Sequence, residues 1–318
     1  MRRSAGTGLT LALLSAGSFA TSGTFARSLI GAGWSAEAAV AARVGIAAAL
    51  LAGPATWSVR GRWPVVRRSL GAIGVFGVLA VGAAQACFFN AVRYLPIGVA
   101  LLLEYLGIIL VVGWMWLVHG QRPRRLTVAG SIAAGLGLIL VLNLTSGARL
   151  NPVGALWGLG AAVGLAAYFV LSARVDNTLP ATALATGGMA IGAVTMILLG
   201  VTGTLPLHAT FGDVDLAGHR VSWLVPIAGL AVIAAVVPYI AGIGAARALG
   251  ARLSSFVGLT EVVFAVLIAW LALGELPTSV QLLGGVLIVT GATLVRLDEL
   301  PGARLVHRRR AGTVAPRA

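Results

Sequence analysis

Glu104 stands inside an apolar run, PIGVALLLEYLG (Pro96–Gly107). Glu261 interrupts a second apolar segment and Arg43 a third. An ionisable side chain at bilayer depth costs about 2.5–3.5 kcal/mol on insertion scales, so it faces a cavity or a partner rather than lipid. A carboxyl so placed can exchange a proton or hold a substrate amine, and a guanidinium can hold a substrate carboxylate. The structural alternative is a buried ion pair, most simply Glu104 with Arg43, pinning two helices together. Glu261 shares a helical face with Ser254, Val257 and Gly258 and is either cavity-lining or structural. Asn90 either binds a polar substrate or caps a helix end. Tyr168, Tyr239 and Trp157 either line a cavity or serve as packing and interface anchors.

The elements that must position these residues follow from composition. The 318-residue chain is 58% hydrophobic and 10% charged, with mean hydropathy +0.97, so it cannot cover a soluble surface with charge. Its apolar runs exceed the roughly 18 residues that mark a spanning helix. The reading is an all-α integral membrane protein surrounded by lipid. All 23 basic residues are arginine, and the net charge is +14. The arginines lie between apolar runs, where they set topology, so nucleic acid is not a partner. A single cysteine, Cys87, excludes an internal disulfide and a multi-cysteine metal site. Asp213, Asp215, His208 and His219 sit in the longest polar loop, 205–220, with spacing too loose for a metal; they read as a solvated loop. No cofactor or metal is implied, and the absence of a GxxxxGK[ST] loop argues against ATP-driven work.

Ten helices are expected, near 8–26, 36–57, 70–92, 97–118, 126–144, 153–173, 182–201, 223–246, 252–273 and 280–297. The first, with Met1-Arg2-Arg3 before it, also has the form of a signal peptide; ten helices require it to span. Helix 8 carries Pro226 and Pro238, which predict kinks. Segment 60–68 holds four arginines and reads as a cytoplasmic loop. With the N-terminus inside, eighteen arginines fall on the cytoplasmic side and four outside, which places both termini in the cytoplasm. A shift of 154 joins Arg93 to Arg247, Gly120 to Gly274, Gln121 to Glu275, Gly130 to Gly284 and Gly137 to Gly291, a sign of internal duplication. Glu275 reads as a structural end-of-helix residue. The ladders Gly130/Ala134/Gly137 and Ser254/Gly258 read as helix-packing seams. Repeats of five helices, 8–144 and 152–297, followed by a basic cytoplasmic tail, 298–318, would lie inverted to one another. Such repeats recur in secondary transporters, with the substrate site near the midplane.

Ala91–Leu95 (AVRYL), the turn into Pro96-Ile97-Gly98-Val99-Ala100, and Gly274-Glu275 followed by Gln281-Leu282-Leu283-Gly284-Gly285 resemble the EamA family of the drug/metabolite transporter superfamily. Pro96–Gly107 is similar to the segment in threonine/homoserine exporters where a Glu follows the same turn. Two departures stand out: Gly107-Ile108 replaces a common Gly-Pro, and Gln121 replaces a Glu. The resemblance implies a non-enzymatic plasma (inner) membrane exporter of small amino acids or related polar metabolites, coupled to protons. The alternatives are an exporter of lipophilic cations and a membrane protein that transports nothing.

Overall fold

The computed structural model describes residues 5–95, 97–142, 151–175, 178–273 and 276–299. The expectations placed on Arg2, Arg3, Pro96, Arg149, Gly274, Glu275 and the tail after Glu299 lie outside these residues.

Helices dominate, as the apolar runs require. The first half holds α1 (Ala5–Ala20), α2 (Ser22–Gly31), α3 (Ala36–Ser58), α4 (Trp63–Val75), α5 (Ala84–Val92), α6 (Ile97–Tyr105), α7 (Gly107–Leu117) and α8 (Arg125–Val141). The second holds α9 (Pro152–Arg174), α10 (Ala181–Val201), α11 (Leu224–Ala231), α12 (Val237–Leu249), α13 (Ala251–Gly258), α14 (Thr260–Leu273) and α15 (Ser279–Glu299). A π-helical stretch, Phe76–Ala83, joins α4 to α5, and a second, Val232–Val236, joins α11 to α12. Among the described residues nine helical stretches are long and apolar enough to cross a bilayer, and α8 is a shorter apolar helix of 17 residues. The chain is a multi-pass membrane protein.

Sequence chemistry sets the helix starts. Ser35 caps α3 by accepting from the Ala38 amide, and Asn151 Oδ1 caps α9 from Val153 and Gly154 at 2.9 and 3.2 Å. Pro152 then takes the first position of α9, where its missing N–H costs nothing.

Several expectations are corrected. Residues 63–68 are not loop but the first turns of α4, with Pro64 in the opening turn, a position that suits its fixed φ. Asp298 does not open a tail. It is buried in α15, where its Oδ2 accepts from Thr127 Oγ1 at 2.6 Å and its Oδ1 lies 4.0 Å from Arg124 Nη1. These partners offset the cost of burying the carboxylate and let the helix continue. The prolines of the eighth expected helix are absorbed rather than simply kinked. Pro226 falls in the first turn of α11, and Pro238 follows the π-stretch directly at the start of α12. The extra residue in a π-turn relieves the clash and the missing donor of a proline.

The 205–220 loop is also structured, which qualifies the all-α expectation. Strands β1 (Asp213–Leu216) and β2 (His219–Ser222) pair antiparallel, Asp213 opposite Ser222 and Leu216 opposite His219. The two linking residues have positive φ, 53° at Ala217 and 82° at Gly218, the signature of a tight type I′ hairpin. The segment is stitched down to the α2–α3 corner. Trp34 Nε1 donates to Thr210 O at 2.6 Å, Ser35 Oγ donates to Pro206 O at 2.8 Å, and the Ser35 amide donates to His208 O at 2.9 Å.

Helices pack α1 on α12, α3 on α10, α5 on α9, and α8 on α15. The last pair meets backbone to backbone. A Cβ on Gly137 would lie 2.5 Å from Gly284 O, and one on Gly130 would lie 2.7 Å from Gly291 O. Reciprocally, Cβ atoms on Gly284 and Gly291 would meet Gly137 O and Gly130 O at 2.6 Å each. The helices therefore run antiparallel at this seam, and only glycine permits the backbones to meet. Gly135, on the same helix, faces open space. Gly137→Val will therefore destabilise the purified protein by about 1–3 kcal/mol through overpacking. Gly135→Val will leave the melting temperature in detergent unchanged, and equal melting of the two variants contradicts the seam.

Candidate functional site

The middle of the molecule is where the backbone departs from regular helix. The first span breaks at Thr21, whose hydroxyl bonds back to Ser18 O at 2.7 Å, a contact that bends helices. The α6–α7 span breaks at Leu106, whose amide is shared between Leu102 O and Leu103 O. Gly107 follows and fits against α9, where a Cβ would come 2.5 Å from Ala162 O. The α13–α14 span breaks at Leu259, beside Thr260 Oγ1 donating to Val257 O at 2.6 Å. The two π-stretches lie in the remaining central spans, and Val232–Val236 coincides with 78–82 under the shift of 154.

Around these interruptions the structure gathers five of the seven residues singled out from the sequence. Arg43, Glu104, Glu261 and Tyr239 interact electrostatically, with the guanidinium in range of both carboxylates and of the Tyr239 phenol. Tyr168 packs on Tyr239, with ring centroids 5.7 Å apart, and is flanked by Phe76 and Phe169. The two glutamates come from different halves of the chain, on α6 and α14, and also sense one another.

The Arg43–Glu104 ion pair, the structural alternative to a functional role, is not formed. Neither glutamate lies within 4 Å of Arg43 or takes part in a salt bridge among the described residues. Arg43 Nη1 instead donates to Ser22 Oγ at 3.0 Å, at the start of α2, and its Nε is buried without a hydrogen-bond partner. Arg43 is only 4% exposed, whereas both glutamates keep partial accessibility. Near Glu104, Ala100, Gly107, Ile108 and Val111 are buried, whereas Ile97, at i−7 on the same helical face, is exposed, as are Ile109 and Leu110. Ser254 and Val257, on the face of Glu261, are likewise buried, while Leu267 and Leu271 are exposed. Both carboxyls thus stand between buried and exposed neighbours and are themselves partly exposed.

The other two candidates stand apart. Asn90 is held locally, donating to Ala86 O at 2.9 Å and accepting from Arg93 Nη1 at 3.2 Å. Arg93 also donates to Thr204 O at 3.2 Å and so ties the end of α5 to the segment after α10. Trp157 is half-buried on α9, and no hydrogen bond or ring contact joins it to the cluster among the described residues.

Three participants escaped the sequence reading. Tyr105 follows Glu104 and interacts with both carboxylates. Ser22 holds the guanidinium. Ser15 Oγ donates to Pro238 O at 2.9 Å and lies with the Tyr168 hydroxyl against Gly242. The signal for the serines was the i, i+4, i+7 spacing of Ser15, Phe19 and Ser22, which marks one helical face; Phe19 packs on Tyr239 at 5.5 Å.

A separate cavity of about 370 Å³ lies under the hairpin, lined by Trp34, Phe211, Trp223, Ile46, Leu207 and Ile227 among others. It holds no ionisable group.

The central arrangement brings together two partly exposed carboxyls, one guanidinium anchored on a hydroxyl and three phenols among apolar helices. The family model of the EamA-like transporters matches residues 6–143 and 152–297. A crystal structure of a protein 20% identical to this chain superimposes with a TM-score of 0.71, covering 93% of this chain and 98% of that one. That likeness speaks to the fold. No curated protein matches. The two matched segments fall on either side of Asn151 and together take in every helix of the central cluster: the chain belongs to the EamA-like transporter family, within the drug/metabolite transporter superfamily.

Proposed function

We propose that this protein is a secondary active transporter of ten spans, built as two inverted five-helix repeats, 8–144 and 152–297. In this reading it exports small polar metabolites carrying an amine, amino acids among them, from the plasma (inner) membrane in exchange for protons. Both termini lie in the cytoplasm. The observation that carries the reading is the partial exposure of Glu104 and Glu261 at mid-span, in electrostatic range of the buried Arg43 and among apolar helices. Carboxyls left open in an apolar interior are groups that a proton or an ammonium can occupy in turn.

The inverted arrangement is supported by the antiparallel glycine seam of α8 and α15, whose paired positions are related by the same shift of 154. It is supported also by contacts that map onto one another under that shift: α1 on α12 answers α9 on α5. Exchange of conformations between matched halves gives outward-open and inward-open states of similar energy, the working principle of such carriers. Discontinuous helices at mid-depth, here at Thr21, Leu106 and Leu259, are the usual means of presenting polar backbone to a cargo in that setting.

The roles follow from placement. Glu104 and Glu261 carry the exchangeable proton and receive the amine. Arg43, steadied by Ser22, sets the local charge. Tyr168 and Tyr239 line the space, and Ser15 and Gly242 fix the position of the Tyr168 hydroxyl.

Two outcomes are expected. In proteoliposomes with an imposed pH gradient, Glu104→Gln and Glu261→Gln will each lower solute flux by more than about tenfold, an interaction loss of about 1.4 kcal/mol or more, without a change in melting temperature. Undiminished flux in Glu104→Gln removes that residue from the mechanism. Gly242→Ala places a methyl group against the Tyr168 hydroxyl and 2.9 Å from Ser15 Oγ. It will raise KM by about tenfold with a smaller effect on maximal rate, and an unchanged KM removes Tyr168 from the cargo site.

A further inference from the structure

The interior charges do not cancel. Arg43 supplies one positive charge on α3; Glu104 on α6 and Glu261 on α14 supply two potential negative charges. Among the described residues, the other titratable groups facing them are phenols: Tyr105 on α6, Tyr168 on α9 and Tyr239 on α12. Phenols are neutral at physiological pH by their ordinary range, so they do not alter the balance. Ser22 adds a hydroxyl and no charge.

We infer that the cargo is a monocation without a free carboxylate, exchanged one for one with a proton in an electroneutral cycle. This rests on the transport reading above and narrows its cargo class, taking amino acids out of the proton-exchanged cargo and leaving amines without a carboxylate. An uncompensated charge in a low-dielectric interior is strongly unfavourable, so the occupied and the empty site both keep near-zero net charge. In the empty site Arg43 balances one carboxylate, and the other carboxyl holds a proton. A monocation entering beside the carboxyls takes the place of that proton, which leaves for water, and the total remains zero. A zwitterion brings no net charge. Releasing the proton on its arrival would leave a buried negative charge, so a zwitterion binds, if at all, without driving proton release.

The geometry makes this count a property of the site rather than of one ion pair. Arg43 is anchored on Ser22 and stays beyond 4 Å from either glutamate, so it contributes charge without closing the space between the carboxyls. A salt bridge would instead have occupied one of them. The carboxyls also come from different halves of the chain, so a bound cation bridges the two repeats.

The test compares amino acids with the corresponding amino alcohols, threonine with threoninol and serine with serinol, on purified protein in proteoliposomes. Lumenal pH is followed by a trapped dye, and solute uptake by radiolabel. The amino alcohols, cationic at pH 7, will release one proton per molecule taken up, at a rate unaffected by a potassium–valinomycin potential. The amino acids will release less than a tenth as many. Proton release by the amino acids equal to that by the alcohols, or exchange that follows the potential, overturns the cargo class and leaves the transport reading standing. Amino alcohols that move without releasing protons also overturn the cargo class, and failure of both series to move through folded, reconstituted protein overturns the transport reading with it.

A charge-balance rescue gives a second arm. Glu261→Gln leaves Glu104 balanced by Arg43, so amino-alcohol-driven proton release will fall by at least tenfold. Adding Arg43→Gln restores a lone exchangeable carboxyl, and release will recover several-fold over the single variant. A folded double variant no better than the single contradicts the charge count. Should the double variant not fold, the comparison of wild-type cargoes decides.

Discussion

The constraint on which this structure depends is the cost of charge away from water. Three ionisable side chains, Arg43, Glu104 and Glu261, sit at mid-span in a chain whose charged residues are otherwise concentrated near helix ends and loops. In a low-dielectric interior such groups must be paired, neutralised or given access to a mobile partner. The structure takes a mixed course. The guanidinium is tied to a hydroxyl, and the carboxyls are left partly open. A fold stabilised for its own sake would have closed the ion pair or dispensed with the charges.

The rest of the architecture serves that arrangement. Regular spanning helices would present only side chains to the centre. Interruptions at Thr21, Leu106 and Leu259, and π-turns in the two remaining central spans, bend the backbone at the depth of the charges. The break at Thr21 also gives Arg43 its partner, since Ser22 opens the next helix. Away from the centre the glycine seam of α8 and α15 lets backbones touch, and such a contact tolerates little change in shape. A close-packed peripheral pair thus contrasts with an irregular, polar middle. The aromatic-lined cavity beneath the hairpin belongs to neither, because it carries no charge and faces the α2–α3 corner.

The helices were legible because each is a long apolar run, and their ends were placed to within a few residues except at Trp63–Arg68, where a proline-initiated turn hid inside a basic stretch. The glycine seam was legible because a repeated shift picked out Gly130, Gly137, Gly284 and Gly291 before any packing was known. Glu104, Glu261 and Arg43 announced themselves as charges in apolar surroundings, and Tyr168 and Tyr239 as polar-tipped aromatics. The gathering of all five in one place was not legible, since helix rotation and tertiary packing decide it. Nor was the fate of Arg43: the nearest opposite charge was a natural partner on paper, while the structure gives it Ser22, whose role depends on a helix break at a threonine rather than at a glycine or proline. Asn90 was ambiguous for the same reason, because its local bonds to Ala86 and Arg93 depend on side-chain direction. The hairpin escaped because Ala217-Gly218 lacks the Asn-Gly or Asp-Gly that usually advertises its turn.

The central claim is that water reaches the mid-span carboxyls from inside the protein. Modification with a water-soluble carbodiimide and glycine ethyl ester, read by mass spectrometry on protein in native membranes, measures that access directly. The account predicts amide formation at Glu104 and Glu261, together with the exposed hairpin residues Asp213 and Asp215 as internal standards. Labelling confined to the hairpin, with both mid-span glutamates untouched, would contradict it.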